Sequence, residues 1–263
     1  MTRTPRDRLA TFSVVAAVPV VIAAFALQAG SQDANRSLFI HANSFLQTLP
    51  MWIWAALSAL GSSLGALALF APTLRLRPRW SAAMLLGMPF SWLYSQGFKW
   101  ALDVPRPPQV LDSTTFHFVG TLPPDPAFPS GHATTAFCLA AVIALLPSKS
   151  HRAILAPAAI ALAVAVALAR IALGVHWPLD VLAGAAGGWL CGVLGVTLSN
   201  HFRFWERKQG IRAMAAILGS LSLVLAFQDP GYAPARLFQW LLALWGITGA
   251  AMAWPASRVG HGA

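Results

Sequence analysis

The sequence predicts an all-α protein, a polytopic transmembrane helical bundle of six core helices followed by a C-terminal pair. Three observations predict it. Hydrophobic residues make up 57% and charged residues 10% of the 263 positions, against roughly 45–50% and 25% in soluble domains. The mean hydropathy is +0.63. The apolar residues gather into runs near the ~20 residues that a helix needs to cross a bilayer core. An ordinary soluble enzyme, a coiled coil and a disordered chain are excluded. The net charge of +10 would suggest nucleic acid on a soluble protein. Here it reads as membrane topology, with the lipid bilayer as the partner and no nucleic acid.

Spans are expected at about 10–29, 51–72, 80–98, 131–147, 153–171 and 179–199, then at 213–228 and 237–254. The first follows Arg3, Arg6 and Arg8 and could pass for a signal peptide. Leu27 and Ala29 would make a poor cleavage site, so an uncleaved anchor is expected. Between the third and fourth spans lies a Pro-rich stretch, 105–128, long enough to be either a lid or a connector. Gly184, Gly188 and Gly192 form a small-residue ridge on the sixth span, which permits close helix approach within the chain. The last two spans are short enough for a re-entrant hairpin. Cys138 and Cys191 sit in apolar runs and read as free thiols.

Loop charges assign the sides. With the N-terminus inside, the inside segments hold Arg3, Arg6, Arg8, Arg75, Arg77, Arg79, Lys149, Arg152, Arg203, Arg207, Lys208, Arg212 and Arg258, which is 13 of the 18 basic residues. The alternation persists to the end, which favours two real crossings for the last pair. Trp52, Trp54, Trp80, Trp100, Trp177, Trp205 and Trp254 stand near span ends, as an aromatic belt would.

Three of the five outside basic residues are Lys99, Arg106 and Arg170, and near them fall His132 and His176. All five are assigned to one membrane face from three separate segments. Ionisable groups so placed are functional candidates. In Lys99-x6-Arg106-Pro107 the two cations would share a face of a continuing helix, although Pro105 disfavours helix at Val104. Two cations aimed at one point repel unless an anion lies between them. Pro129-Ser130-Gly131-His132 opens the fourth span. Ser130 suits an N-cap, Gly131 admits a ligand close to the backbone, and the helix start offers free N–H groups to an anion. In Arg170-x5-His176-x3-Asp180, Pro178 suits the first helical position. Asp180 could then accept a hydrogen bond from His176 and leave the other ring nitrogen basic. Asp103, Asp112 and Asp125 are scattered along the loop, read as solvated acids, and offer no carboxylate cluster for Mg²⁺.

Taken together, these segments resemble the type-2 phosphatidic acid phosphatase (PAP2) family, which shares its site with vanadium haloperoxidases and glucose-6-phosphatase. The family pattern is Lys-x6-Arg-Pro, Pro-Ser-Gly-His and Ser-Arg-x5-His-x3-Asp. The departure is Ala169, where the family usually has Ser, which puts a secondary hydrogen bond in question. The resemblance implies a PAP2-type domain over 1–200 and an added helix pair over 201–263. It implies phosphate binding by Lys99, Arg106, Ser130, Gly131 and Arg170, and a phosphohistidine route. In that route His176 is the nucleophile, Asp180 its support and His132 the acid and base. No metal or cofactor is expected. The site's place among lipid headgroups suggests a lipid or polyprenyl phosphate substrate, with the reaction on the periplasmic side of a bacterial inner membrane. Transfer of the phosphoryl group to another lipid is the alternative. A lipid transporter or flippase would carry polar groups near mid-bilayer, whereas the ionisable cluster here sits at one face.

Overall fold

The computed structural model describes residues 5–256, and Arg3 and Arg258 lie outside them. Among the described residues all regular structure is helical. The helices run α1 (Pro5–Gly30), α2 (Gln32–Leu46), α3 (Met51–Gly61), α4 (Ser63–Phe70), α5 (Thr73–Leu76), α6 (Pro78–Leu102) and α7 (Pro107–Val110). They continue as α8 (Gly131–Leu145), α9 (Lys149–Ala172), α10 (Pro178–His201), α11 (Lys208–Phe227) and α12 (Arg236–Ala256). The chain is a multi-pass helical membrane protein. Helices α1, α9, α10, α11 and α12 are each long and apolar enough to cross a bilayer, and the α3–α4 pair adds a sixth candidate.

Three elements differ from the sequence expectation. The span expected at 51–72 is broken at Ser62, with α3 and α4 bent by 75°. Ser62 has extended backbone, and its hydroxyl accepts from the Gly65 N–H, so a local cap competes with a continuous helix. The stretch between the first two expected spans, which carries no span of its own, is helix α2. Its buried Asn43 donates to the carbonyls of Ile171 at 2.9 Å and His117 at 3.0 Å, and accepts from the His117 N–H at 2.7 Å. Asn35, on the same helix, accepts from the Leu179 N–H at 3.2 Å. Thus α2 braces the turn between α9 and α10. Finally, α8 has 15 residues, about 22 Å of helix, too short to span alone; it is buried among α6, α9 and α10. The two C-terminal helices, by contrast, extend beyond their expected bounds, to 20 and 21 residues.

Packing follows the small residues. A Cβ on Gly184, Gly188 or Gly192 would press into the backbone of Ser130, Thr134 or Cys138. The ridge therefore seats α10 directly on α8, within the chain. Around this contact the largest core cluster gathers Met84, Met88, Leu139, Val142, Val196 and Leu218. Cys138 and Cys191 are free and buried in it. Trp52, Trp100 and Trp254 are exposed, as a belt requires. Trp54 and Trp177 are buried instead, because their indole N–H groups reach the carbonyls of Leu46 and Pro105.

Candidate active site

The long stretch between α6 and α8 is pinned rather than loose. The N–H groups of Val119, Thr121 and Ala127 donate to the carbonyls of Leu173, Gly231 and Val104. Gly174 has φ +76°, and a Cβ there would strike the His117 carbonyl. Glycine is required at this crossing by both conformation and space. The stretch thus lies against the α9–α10 turn and the α11–α12 turn.

Beneath it is a cavity of about 310 Å³ lined by Lys99, Arg106, Gly131, His132, Arg170 and His176 among others. The three sequence segments therefore meet at one point. They are locked together by hydrogen bonds: Ser130 N–H donates to the Asp180 carbonyl at 2.9 Å, and the Trp177 indole N–H to the Pro105 carbonyl. Lys99 comes from the last turn of α6, which ends at Asp103 in the left-handed region, φ 44°. Arg106 therefore does not continue that helix; it caps α7 with extended backbone. The two cations converge from different elements.

The tautomer of His176 follows from its partners. Arg106 Nη1 lies 3.1 Å from His176 Nε2 and can only donate. Nε2 is then the acceptor, and the proton sits on Nδ1, 3.2 Å from Asp180 Oδ2. That same carboxylate oxygen accepts from the Trp177 N–H at 2.8 Å. Burial, with the charges of Arg106, Arg170 and Lys99 added, holds the His176 imidazole well below its ordinary pKa. It is a neutral ring whose Nε2 lone pair faces the cationic cluster and accepts from Arg106. His132 lines the cavity as the second residue of α8.

Two expectations are revised. Asp125 is not a solvated loop acid. Its carboxylate pairs with Lys99 and with Arg106 Nη2 at 3.0 Å, and its carbonyl accepts from Arg106 Nε at 2.8 Å. The anion that two converging cations require is therefore supplied by the chain itself. Burial works against its ionisation, but the hydrogen bond and charge of Lys99, with the charge of Arg106, hold its carboxyl below the ordinary range. Ser130 is the N-cap residue of α8, yet its hydroxyl makes no capping bond. That hydroxyl is fully buried without a protein partner, one residue before Gly131 on the cavity wall.

Sequence reasoning missed two partners of Arg170. Its Nη1 donates to the Ser58 hydroxyl and to Tyr232 Oη, the latter at 3.2 Å. Neither belongs to a motif, and no local pattern marks them. Among the described residues no group of three or more His, Cys, Asp and Glu converges as a metal-binding cluster.

Because Asp125 stays ionised at neutral pH, an anion entering the cavity would compete with it for two cations. Asp125→Asn is expected to tighten vanadate binding about tenfold by calorimetry. It should also lower the thermal midpoint of the ligand-free protein, a loss that vanadate reverses. Weaker vanadate binding would instead mean that Asp125 holds the cations in the geometry that binds phosphate.

The model of the PAP2 superfamily matches residues 80–204. No curated protein sequence matches the chain. Two solved structures are similar. One is the first transmembrane PAP2 type phosphatidylglycerolphosphate phosphatase from Bacillus subtilis, with TM-score 0.56 and 23% identity over 73% of this chain and 98% of that one. The other is Aquifex aeolicus LpxE, with TM-score 0.52 and 26% identity over 62% of this chain and 95% of that one.

Proposed function

The chain belongs to the PAP2 superfamily through residues 80–204, and we propose that it is an integral-membrane phosphatase that hydrolyses a lipid or polyprenyl phosphate through a phosphohistidine. The observation that carries this reading is one buried cavity in which Lys99, Arg106 and Arg170 surround a neutral histidine held by Asp180. The similarity to a transmembrane PAP2 type phosphatase supports it.

The phosphate sits against Lys99, Arg106 and Arg170, displacing the Asp125 carboxylate, with the Gly131 N–H at the α8 start as a neutral donor. Guanidinium forks match phosphate oxygens two at a time. Fixed cations stabilise the charge of the transferring group without reorganising. His176 Nε2 attacks phosphorus, so an N–P bond forms as the bond to the leaving oxygen breaks. The negative charge of the bound phosphate favours the imidazolium form of His132, which gives its proton to that oxygen and becomes neutral. Asp180 keeps the Nδ1 proton in place and offsets the charge that His176 gains. Water then attacks the phosphohistidine while His132 takes its proton. The N–P bond breaks, free phosphate leaves, and both histidines are restored. The Ser130 hydroxyl, buried without a protein partner beside Gly131, is a further neutral donor to the phosphate.

The test is phosphate release by purified protein from phosphatidylglycerol phosphate, phosphatidic acid, undecaprenyl diphosphate and lipid A phosphates, each with and without EDTA. The cavity's positive charge is carried by side chains, so release should be unchanged by EDTA. Loss with chelator and recovery on adding Mg²⁺ would overturn the mechanism.

The excess of basic residues in the opposite loops favours a site on the outer face, which in a bacterial inner membrane is the periplasmic side. Thr114→Cys, in a variant lacking Cys138 and Cys191, should react with an impermeant thiol reagent on intact spheroplasts. Thr114 is exposed, so labelling only after lysis would invert the topology.

A further inference from the structure

The three cations of the cavity are held in two different ways. Lys99 and Arg106 are paired with the Asp125 carboxylate. Arg170 makes no ion pair among the described residues. It is buried in the last turn of α9, and its acceptors are neutral: Nη1 donates to the Ser58 hydroxyl and to Tyr232 Oη. The Tyr232 ring adds a cation–π contact, with Cζ 5.9 Å from the ring centroid. Ala169, the preceding residue, is buried and brings no polar group.

The two acceptors come from distant parts of the chain. Ser58 is buried in α3. Tyr232 is buried on the α11–α12 turn, outside the 80–204 region. That turn is tied down on every side. The Thr121 N–H donates to the Gly231 carbonyl, and the Ala235 N–H to the Tyr232 carbonyl. Gln239, buried in α12, donates to the Gln228 carbonyl at 2.7 Å, and Arg236 pairs with Asp229. Gly120, with φ +91°, passes so close that a Cβ there would strike the Tyr232 ring. These ties fix where Oη stands.

Nη1 carries two N–H groups, and the two acceptors use both. What remains of the guanidinium is its Nε–Nη2 edge, a fork that matches two phosphate oxygens. Nε is buried without a protein partner, a donor whose unmet bond costs free energy until an acceptor arrives. Neutral acceptors also leave the charge of Arg170 uncancelled, whereas Asp125 offsets that of the other two cations. Building on the phosphatase reading, we infer that Ser58 and Tyr232 are positioning residues: by taking Nη1 they lock Arg170 with its charge uncompensated and its Nε–Nη2 edge kept for the phosphate. The C-terminal helix pair thereby supplies part of the site's geometry.

The experiment uses the full chain in nanodiscs and vanadate as the probe, because the anion reads Arg170 whether or not a lipid is turned over. Tyr232→Phe keeps the ring and removes only the hydroxyl. By calorimetry it should weaken vanadate binding about fivefold, and together with Ser58→Ala about thirtyfold. Arg170→Lys keeps the charge but has no Nη1, so in that background Tyr232→Phe should change the affinity by less than about twofold. The calorimetric stoichiometry counts folded protein, so partial misfolding does not imitate a weaker affinity. On whichever panel lipid releases phosphate, kcat of the double variant should fall about tenfold, since the guanidinium meets charge that grows on the transferring group. Unchanged affinity or unchanged kcat in the double variant would overturn the inference. So would an equal loss from Tyr232→Phe in both backgrounds, the mark of a merely structural role. Phosphate release from none of the panel lipids, with the vanadate pattern as expected, would overturn the phosphatase reading and leave the Arg170 arrangement standing as that of an anion site.

Discussion

His176→Ala is expected to abolish covalent labelling and to lower turnover by roughly 10⁴-fold or more, the scale on which losing a member of a nucleophile–base–acid set acts. The expectation comes from its surroundings. Nδ1 is committed to Asp180, so Nε2 carries the lone pair. Burial and three neighbouring cations keep the ring neutral. The sign of that shift matters: a depressed pKa leaves the nucleophile unprotonated through neutral pH and protonates it only well below 6.5. The acid limb of kcat/KM should therefore fall below the range of an ordinary histidine. Label persisting in His176→Ala would mean that the nucleophile is another residue.

His132→Ala should be slow in a different way. Loss of acid–base assistance costs roughly 10²–10⁴-fold, and it affects both steps. A nitrophenyl phosphate needs little help for its leaving group, so attack by His176 proceeds on it while water is no longer activated. The phosphohistidine should accumulate, acid-labile and mapped to the peptide containing His176. Asp180→Asn should fall between wild type and His176→Ala. It keeps one acceptor oxygen near Nδ1 and the Trp177 N–H, but gives less support to the charge that His176 gains. Label on the peptide containing His132 would reverse the two roles.

The family motifs were legible because their residue types are rare in this composition and their spacing is local. Lys99, Arg106, His132, Arg170, His176 and Asp180 stand out in a chain that is 10% charged. The loop-charge argument placed them on one face before any fold was known. The Gly184, Gly188 and Gly192 ridge was legible for a similar reason, since periodic small residues on an apolar helix have a single packing use. The bend at Ser62 had a local cue in Gly61-Ser62-Ser63, but 22 nearly uninterrupted apolar residues outweighed it. Helix α2 has a polar face that serves tertiary hydrogen bonds, so hydropathy passed over it.

Asp125 shows the division most clearly. Convergence of Lys99 and Arg106 required an anion, and that requirement followed from charge alone. Which of the acids Asp103, Asp112 and Asp125 met it depended on a turn at the end of α6 and on the Ala127–Val104 backbone bond. Tyr232 and Ser58 reach Arg170 from 62 and 112 residues away, with no sequence pattern linking them to it. What the sequence by itself determined was the helical membrane bundle and the order of the scarce ionisable groups that meet in the cavity. Those depend on composition, short-range periodicity and the cost of placing charge in hydrocarbon. Only the tertiary structure decided which neutral groups hold Arg170, which carboxylate guards the cations and that the C-terminal pair walls the site. Those contacts join residues distant in the chain, and their geometry exists only after α8, α9 and α10 have packed.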